Sequence, residues 1–255
     1  MDEILPLFKS HYSLGRSILT LKNDDSAVDE ADSIFDICKE NQMKEMVLID
    51  HNMSGFLQAY QNSKELDIKL IFGLRLTVCS DMNQKDADSL KTNNKIVILL
   101  KNAKGYKRLI RIISLASREG FYYEPRIDHK SLEKEWSNRD LAMVIPFYDS
   151  YLFKNTLLSN ICVPEFNFAK LTYFIEDNNL PFDNIVKEKV INQAKAEGAK
   201  TQKAQSIYSR RKKDFKAYLT FRCINNRSTL ERPELDHMTS DEFCMESWKE
   251  KNEKV

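Results

Sequence analysis

The stretch Lys95-Ile96-Val97-Ile98-Leu99-Leu100-Lys101-Asn102-Ala103-Lys104-Gly105-Tyr106, together with Gly120-Phe121-Tyr122-Tyr123-Glu124-Pro125-Arg126-Ile127-Asp128 further on, decides how the whole chain is read. Four successive branched side chains, Ile96 to Leu99, make 95–100 the clearest strand in the sequence. From 106 to 116 the pattern changes to helical spacing, with Leu109, Ile110, Ile113 and Ala116 on or near one face. An aromatic loop follows at 120–126. A buried strand followed at once by an amphipathic helix is the repeating unit of an α/β fold.

Outward from this unit the same alternation continues. Strands are expected at 5–8, 46–49, 69–72, 141–145 and 172–175, and helices at 28–41, 55–64, 183–197 and 212–224. Gly73 is expected to break the strand at 69–72, with 74–79 continuing extended. Residues 85–94 read as a polar surface loop, and those from 225 onward as polar and irregular. There is no internal repeat.

Composition bounds the function. The 255 residues are 42% hydrophobic and 30% charged, ordinary for a globular chain, with room for one large domain or two small ones. Six Gly and six Pro argue against a long disordered linker. A net charge of +1 supplies no global attraction to nucleic acid, so a DNA contact would need a local patch. The five cysteines (38, 79, 162, 223 and 244) include no C-x-x-C pair, which removes zinc ribbons and thioredoxin-like chemistry. The polar start and the short apolar runs give no secretory signal and no membrane span, so a reducing cytoplasm is expected. Only four histidines are present (11, 51, 129 and 237), few for a multinuclear hydrolase.

The two quoted motifs resemble the N-terminal polymerase-and-histidinol-phosphatase (PHP) domain of the DNA polymerase III alpha subunit, the C-family replicase. That family has a "K-N-x-x-G-Y" helix start followed by "G-F-Y-Y-x-P-R-I-D". Tyr12-Ser13-Leu14 resembles its "Y-S-L", Leu48-Ile49-Asp50-His51 its "L-T-D-H" and Ile71-Phe72-Gly73 its "I-I-G". In the tail, Cys223-Ile224, Ser228-Thr229-Leu230 and Asp241-Glu242-Phe243 resemble the passage that leads toward the polymerase palm. The resemblance is weakest over 150–204. It implies an irregular (β/α)-type PHP barrel formed as a single domain over 1–224. Residues 225–255 would be a short C-terminal extension, the lead into the polymerase body.

Active members of that family gather metals on His and carboxylate ligands at strand ends. Carried over position by position, one pair survives, Asp50 and His51. The opening His-x-His appears as Leu7-Phe8-Lys9, a glutamate has become Arg75, and a His is now Lys95. A further ligand falls at or near Pro146, and the late Asp-x-His motif at Gln205-Ser206-Ile207. Lys and Arg repel a cation and offer only donors, and one Asp with one His is short of the usual three or four ligands. The resemblance therefore implies a degenerate site with no metal, no cofactor and no catalytic residue. Lys9, Arg75 and Lys95 are all cationic, and one or more of them is expected to pair with Asp50 in the old metal volume; heads snorkelling to solvent are the alternative.

Other features carry blander readings. His11 is expected in a surface or loop role, and Phe121-Tyr122-Tyr123 as anchors of their loop rather than a stacking platform for bases. Arg210, Arg211, Lys212 and Lys213, with Lys216 nearby, are the candidate nucleic-acid contact, although such runs are more often a solvated helix start. The resemblance implies a DNA replication module without catalysis of its own, supporting or docking a C-family DNA polymerase catalytic subunit or another replisome protein. A standalone chain of this kind suits a split replicase, phage-borne ones included. The competing reading is a metal-dependent phosphoesterase or proofreading nuclease with a rearranged site, drawing on Glu165, Asp177 or His129.

Overall fold

The structure, a computed structural model, describes residues 3–22, 32–233 and 238–253. It is a mixed α/β chain of the (β/α)-barrel type. The strands are β1 (Leu5–Phe8), β2 (Glu45–Asp50), β3 (Lys69–Cys79), β4 (Asn94–Leu100), β5 (Arg126–Asp128), β6 (Leu141–Ile145), β7 (Leu171–Ile175) and β8 (Lys200–Ile207). The helices are α1 (Ile34–Glu40), α2 (Phe56–Glu65), α3 (Ala87–Leu90), α4 (Ala103–Arg118), α5 (His129–Glu135), α6 (Tyr151–Leu157), α7 (Asp183–Glu197), α8 (Phe215–Asn226) and α9 (Met245–Glu253). No helix among the described residues is long and apolar enough to cross a membrane. The chain divides into two compact units, one drawn from 1–72, 176–183 and 203–255, the other from 73–175 and 184–202.

In the first unit β1 lies between β2 and β8 and runs parallel to both, with Leu7 opposite Val47 on one side and Ser206 on the other. Met46 to Asp50 is buried without a break, as expected of a parallel strand covered on both faces. The Ser33 hydroxyl accepts from the Phe35 N–H and caps α1; the expected helix residues 28–31 lie outside the described part of the chain. The tail joins this unit. The Tyr208 N–H donates to the Phe243 carbonyl, the two rings stack at 5.2 Å, and the Trp248 indole donates to the Ile4 carbonyl at 2.7 Å. An orderly helix, α9, thus occupies a stretch expected to be irregular.

In the second unit the strand order is β7-β6-β4-β3-β5, with β4 antiparallel to both neighbours. Gly73 does not break β3. It sits in ladder register opposite Leu99, and the strand runs eleven residues through it, because the backbone pairing offsets the weak strand preference of glycine. The loop expected at 85–94 contains the single turn α3, held by a reciprocal cap between Asp86 and Ser89. The buried stripe of α4 is Gly105, Leu109, Ile112 and Ala116, whereas Ile110 is exposed and Ile113 half-buried. The five cysteines are all buried and unpaired.

Close packing explains the two glycines of the deciding motifs. A Cβ on Gly105 would stand 2.2 Å from the Asp140 carbonyl oxygen, and one on Gly120 only 1.8 Å from that of Arg126. The fully buried Arg126 guanidinium bonds the Gly120 carbonyl at 3.2 Å, the Ser89 hydroxyl at 3.2 Å and the Gln84 carbonyl at 2.9 Å. It also lies 5.1 Å from the Tyr122 ring. Of the three aromatic residues, then, Tyr122 anchors the loop while Phe121 and Tyr123 face solvent. Helix propensity alone favours Gly105→Ala by up to about 1 kcal/mol. The backbone clash reverses the sign, and we expect a loss of about 1–3 kcal/mol, read from urea denaturation of the full chain.

Candidate functional site

The end of β2 places Asp50 with no solvent exposure. Its Oδ1 accepts the Ser10 N–H at 2.9 Å and the Ser13 hydroxyl at 2.7 Å, and its Oδ2 accepts the Ser10 hydroxyl at 2.6 Å. Ser13 Oγ in turn accepts the His51 N–H at 2.9 Å, so the turn after β1 and the end of β2 form one network. Burial pushes the Asp50 carboxyl above its ordinary range, opposed by the Ser10 and Ser13 hydrogen bonds and by the charge of Lys9. Lys9 itself is buried, its ammonium 4.7 Å from the centre of the Tyr208 ring.

The expected ion pair with Asp50 takes another form. Within this unit no lysine or arginine among the described residues reaches Asp50 at salt-bridge distance, and Lys9 acts on it only through space. Hydroxyls and an amide saturate the carboxylate without the further desolvation of an ammonium. A second buried carboxylate, Glu176, accepts the Ser206 N–H at 2.8 Å, the Ser206 hydroxyl at 3.0 Å and the Asn178 amide at 3.2 Å. Ser13 and Ser206 fall inside motif stretches quoted from the sequence, but nothing there marked them as carboxylate donors, and nothing marked Ser10 or Glu176 at all.

The other two cationic positions lie in the second unit and have local carboxylate partners. Arg75 bonds the Tyr148 carbonyl at 2.7 Å and the Asp149 carboxylate at 3.1 Å, with both side chains under a tenth exposed. Across the β3–β4 ladder, Lys95 bonds Thr77 and Glu124. Burial alone would raise the Glu124 carboxyl, but the Lys95 charge and hydrogen bond hold it below its ordinary value. Glu124 is the variable position of the aromatic motif, so Lys95 and its partner come from the two halves of the deciding stretch.

Of the residues considered for a rearranged site, Glu165 acts through space on His129, and Asp177 belongs to the other unit. No group of three or more His, Cys, Asp or Glu side chains that could hold a metal ion occurs among the described residues. His11 is half-buried beside the Tyr12 ring. In the basic run, Arg210 pairs with Asp32 and Glu40, Arg211 with Asp214, and Lys212 with Glu242 and Glu250, while Lys213 is exposed. A cleft of about 200 Å³ beside Arg210 and Arg211 is lined by Glu40 and Glu246 as well as Lys249, a mixed rather than a cationic surface.

Two consequences can be measured. His129 is buried with Nε2 unbonded, and burial holds its imidazole below the ordinary 6.5 against the charges of Glu165 and Asp128. The unfolded chain therefore takes up this proton first. Stability is fully present above pH 6.5 and falls as the pH drops below it, and His129→Phe should flatten that slope in urea titrations at stepped pH. For the basic run, Arg211→Gln with Lys212→Gln should leave the salt dependence of oligonucleotide binding unchanged. Two lost duplex phosphate contacts would instead reduce the slope of log K against log salt by about 2, as read by fluorescence anisotropy.

Comparison with known proteins places this geometry. The chain is similar to the DNA polymerase III subunit alpha of Borreliella burgdorferi, 37% identical over 122 residues that cover 46% of this chain and 11% of the relative. The corresponding subunit of Aquifex aeolicus is 35% identical over 111 residues, 40% of this chain and 10% of that protein. That of Helicobacter pylori is 34% identical over 120 residues, 46% and 10%. The chain thus spans about a tenth of the length of these curated relatives. The metals of the PHP family do not fit the side chains found here. Asp50 already accepts three hydrogen bonds, and the positions of Lys9, Arg75 and Lys95 present positive charge. The PHP domain model matches residues 22–153, just over half of the sequence, and the chain belongs to the PHP domain family.

Proposed function

We propose that this chain is a non-catalytic PHP module of a C-family DNA polymerase III alpha-type replicase, acting in DNA replication by supporting or docking the polymerase part. The observation that carries the reading is the similarity to DNA polymerase III alpha subunits in three bacteria. The site geometry supports the non-catalytic half. Hydrolysis of a phosphoester by a metal-activated water needs open coordination positions on a bound ion. Here the candidate ligand Asp50 is closed by serines, and Arg75 and Lys95 are engaged with Asp149 and Glu124. In this reading Lys9, Asp50, His51, Arg75 and Lys95 are vestigial positions, residues 1–224 form the module, and 225–255 are the lead toward the polymerase body.

Affinity capture of the tagged chain from its native cell, with mass spectrometry of what accompanies it, tests the proposal. The expected companion is a C-family polymerase polypeptide, and recovery of no replication protein under gentle conditions would overturn the docking role. A phosphoesterase assay with manganese or zinc tests the other half. We expect turnover no faster than that of buffer with the metal alone, and saturable turnover would restore the enzyme reading.

A further inference from the structure

Two buried carboxylates of the first unit are gripped in the same way. Ser10 donates its N–H to one oxygen of Asp50 and its own hydroxyl to the other, at 2.9 and 2.6 Å. Ser206 does the same to Glu176, at 2.8 and 3.0 Å. In each case a single serine spans both oxygens, and one further side chain, Ser13 or Asn178, adds a third donor at 2.7 or 3.2 Å. Three hydrogen bonds to one carboxylate are enough to satisfy it in a buried setting.

The positions of these serines give the pattern its meaning. Ser10 directly follows Leu7-Phe8-Lys9, and Ser206 is the central residue of Gln205-Ser206-Ile207, the stretches aligned above with the first and last metal motifs. β1 and β8 are parallel neighbours, with Leu7 opposite Ser206, so the two grips arise from adjacent strands. At Asp50 the serine donors occupy three of the roughly four lone-pair sites that a metal would compete for. We infer that these two serine–carboxylate grips have taken over from metal ligation as the device that ties the strand ends of this unit together, so that the chain folds and stays folded with no divalent ion. The inference rests on this geometry and on the metal positions that the resemblance implies, and does not depend on whether the chain serves a polymerase.

The test uses the full chain in two measurements. In the first, thermal unfolding is followed after dialysis against a chelator and again with added manganese or zinc. The expected midpoints agree to within about 1 °C, since only a ligand that binds the native state shifts them upward. A clear rise with metal, or metal retained in stoichiometric amount through dialysis, would overturn the inference. The second measurement is a double-mutant cycle. Ser10→Ala should lower the folding equilibrium constant about tenfold or more in the native background, because a buried charge loses a donor. In the Asp50→Asn background the same change should cost a much smaller factor. Equal factors in the two backgrounds would sink the grip at Asp50. Should Ser10→Ala alone not fold, the grip requires that Asp50→Asn restore folding to it and that Ser10→Thr, which keeps both donors, fold unaided; failure of both would count against the inference. Ser206→Ala in the Glu176 and Glu176→Gln backgrounds repeats the cycle at the second grip, with the same expectation and the same disproof.

Discussion

A fully buried carboxylate at the end of a buried parallel strand is a constraint that the surrounding chain has to answer. Leaving Asp50 short of hydrogen bonds would cost several kcal/mol, comparable to a large share of the stability of a domain. The answer fixes local geometry. Ser10 must present both its N–H and its hydroxyl, so the chain turns directly after β1, and Ser13 must return to reach the second lone pair. That turn brings Ser13 against the His51 N–H and Asn52 against the Tyr12 carbonyl at 2.7 Å, tying the exits of β1 and β2 together. The interior of the unit is thereby specified by polar bonds of fixed direction as well as by apolar packing.

The second unit solves the same problem with charge. Arg75 and Lys95 project from neighbouring antiparallel strands and are matched by Asp149 and Glu124. Asp149 also accepts the Lys95 N–H through its carbonyl at 2.8 Å, so main chain and side chain converge on one residue. Breaking a buried pair such as Arg75–Asp149 leaves an unpaired charge, typically worth about 3–5 kcal/mol, whereas the pair itself adds little net stability. Each unit has met the demands of its polar strand-end residues with partners of its own.

How much of this was legible depended on whether the signal was local. The strand read at 95–100 (found at Asn94–Leu100), the helix read at 106–116 (found at Ala103–Arg118) and the aromatic motif were readable because branched, periodic and glycine-marked segments carry their structure in short range. β8 was not readable. Its sequence Lys200-Thr-Gln-Lys-Ala-Gln-Ser-Ile207 has apolar residues only at Ala204 and Ile207, and its buried polar positions Gln205 and Ser206 exist to bond Glu242 and Glu176. The face of α4 was read correctly at Leu109 and Ala116 but took Ile110 and Ile113 where Ile112 is the buried isoleucine. An isoleucine on either side of the stripe satisfies the same periodicity.

The residue types at the positions that the resemblance assigns to metal ligands were visible in the sequence, and lysine, arginine, leucine and proline side chains are not expected to ligate a metal there. The family itself was equally visible, because its motifs are built around glycines that backbone carbonyls approach within 2.2 Å of a would-be Cβ, and no other residue fits. Which donors Asp50 would meet was not visible. Whether Asp50 would meet Lys9, Arg75, Lys95 or none of them depended on which donors the turn after β1 brings within 3 Å. Two serines 37 and 40 residues away in sequence, neither marked as a donor to Asp50, are the donors that arrived. Partner choice for a buried charge is a contest among all the donors that folding gathers around it, and distance in three dimensions settles that contest.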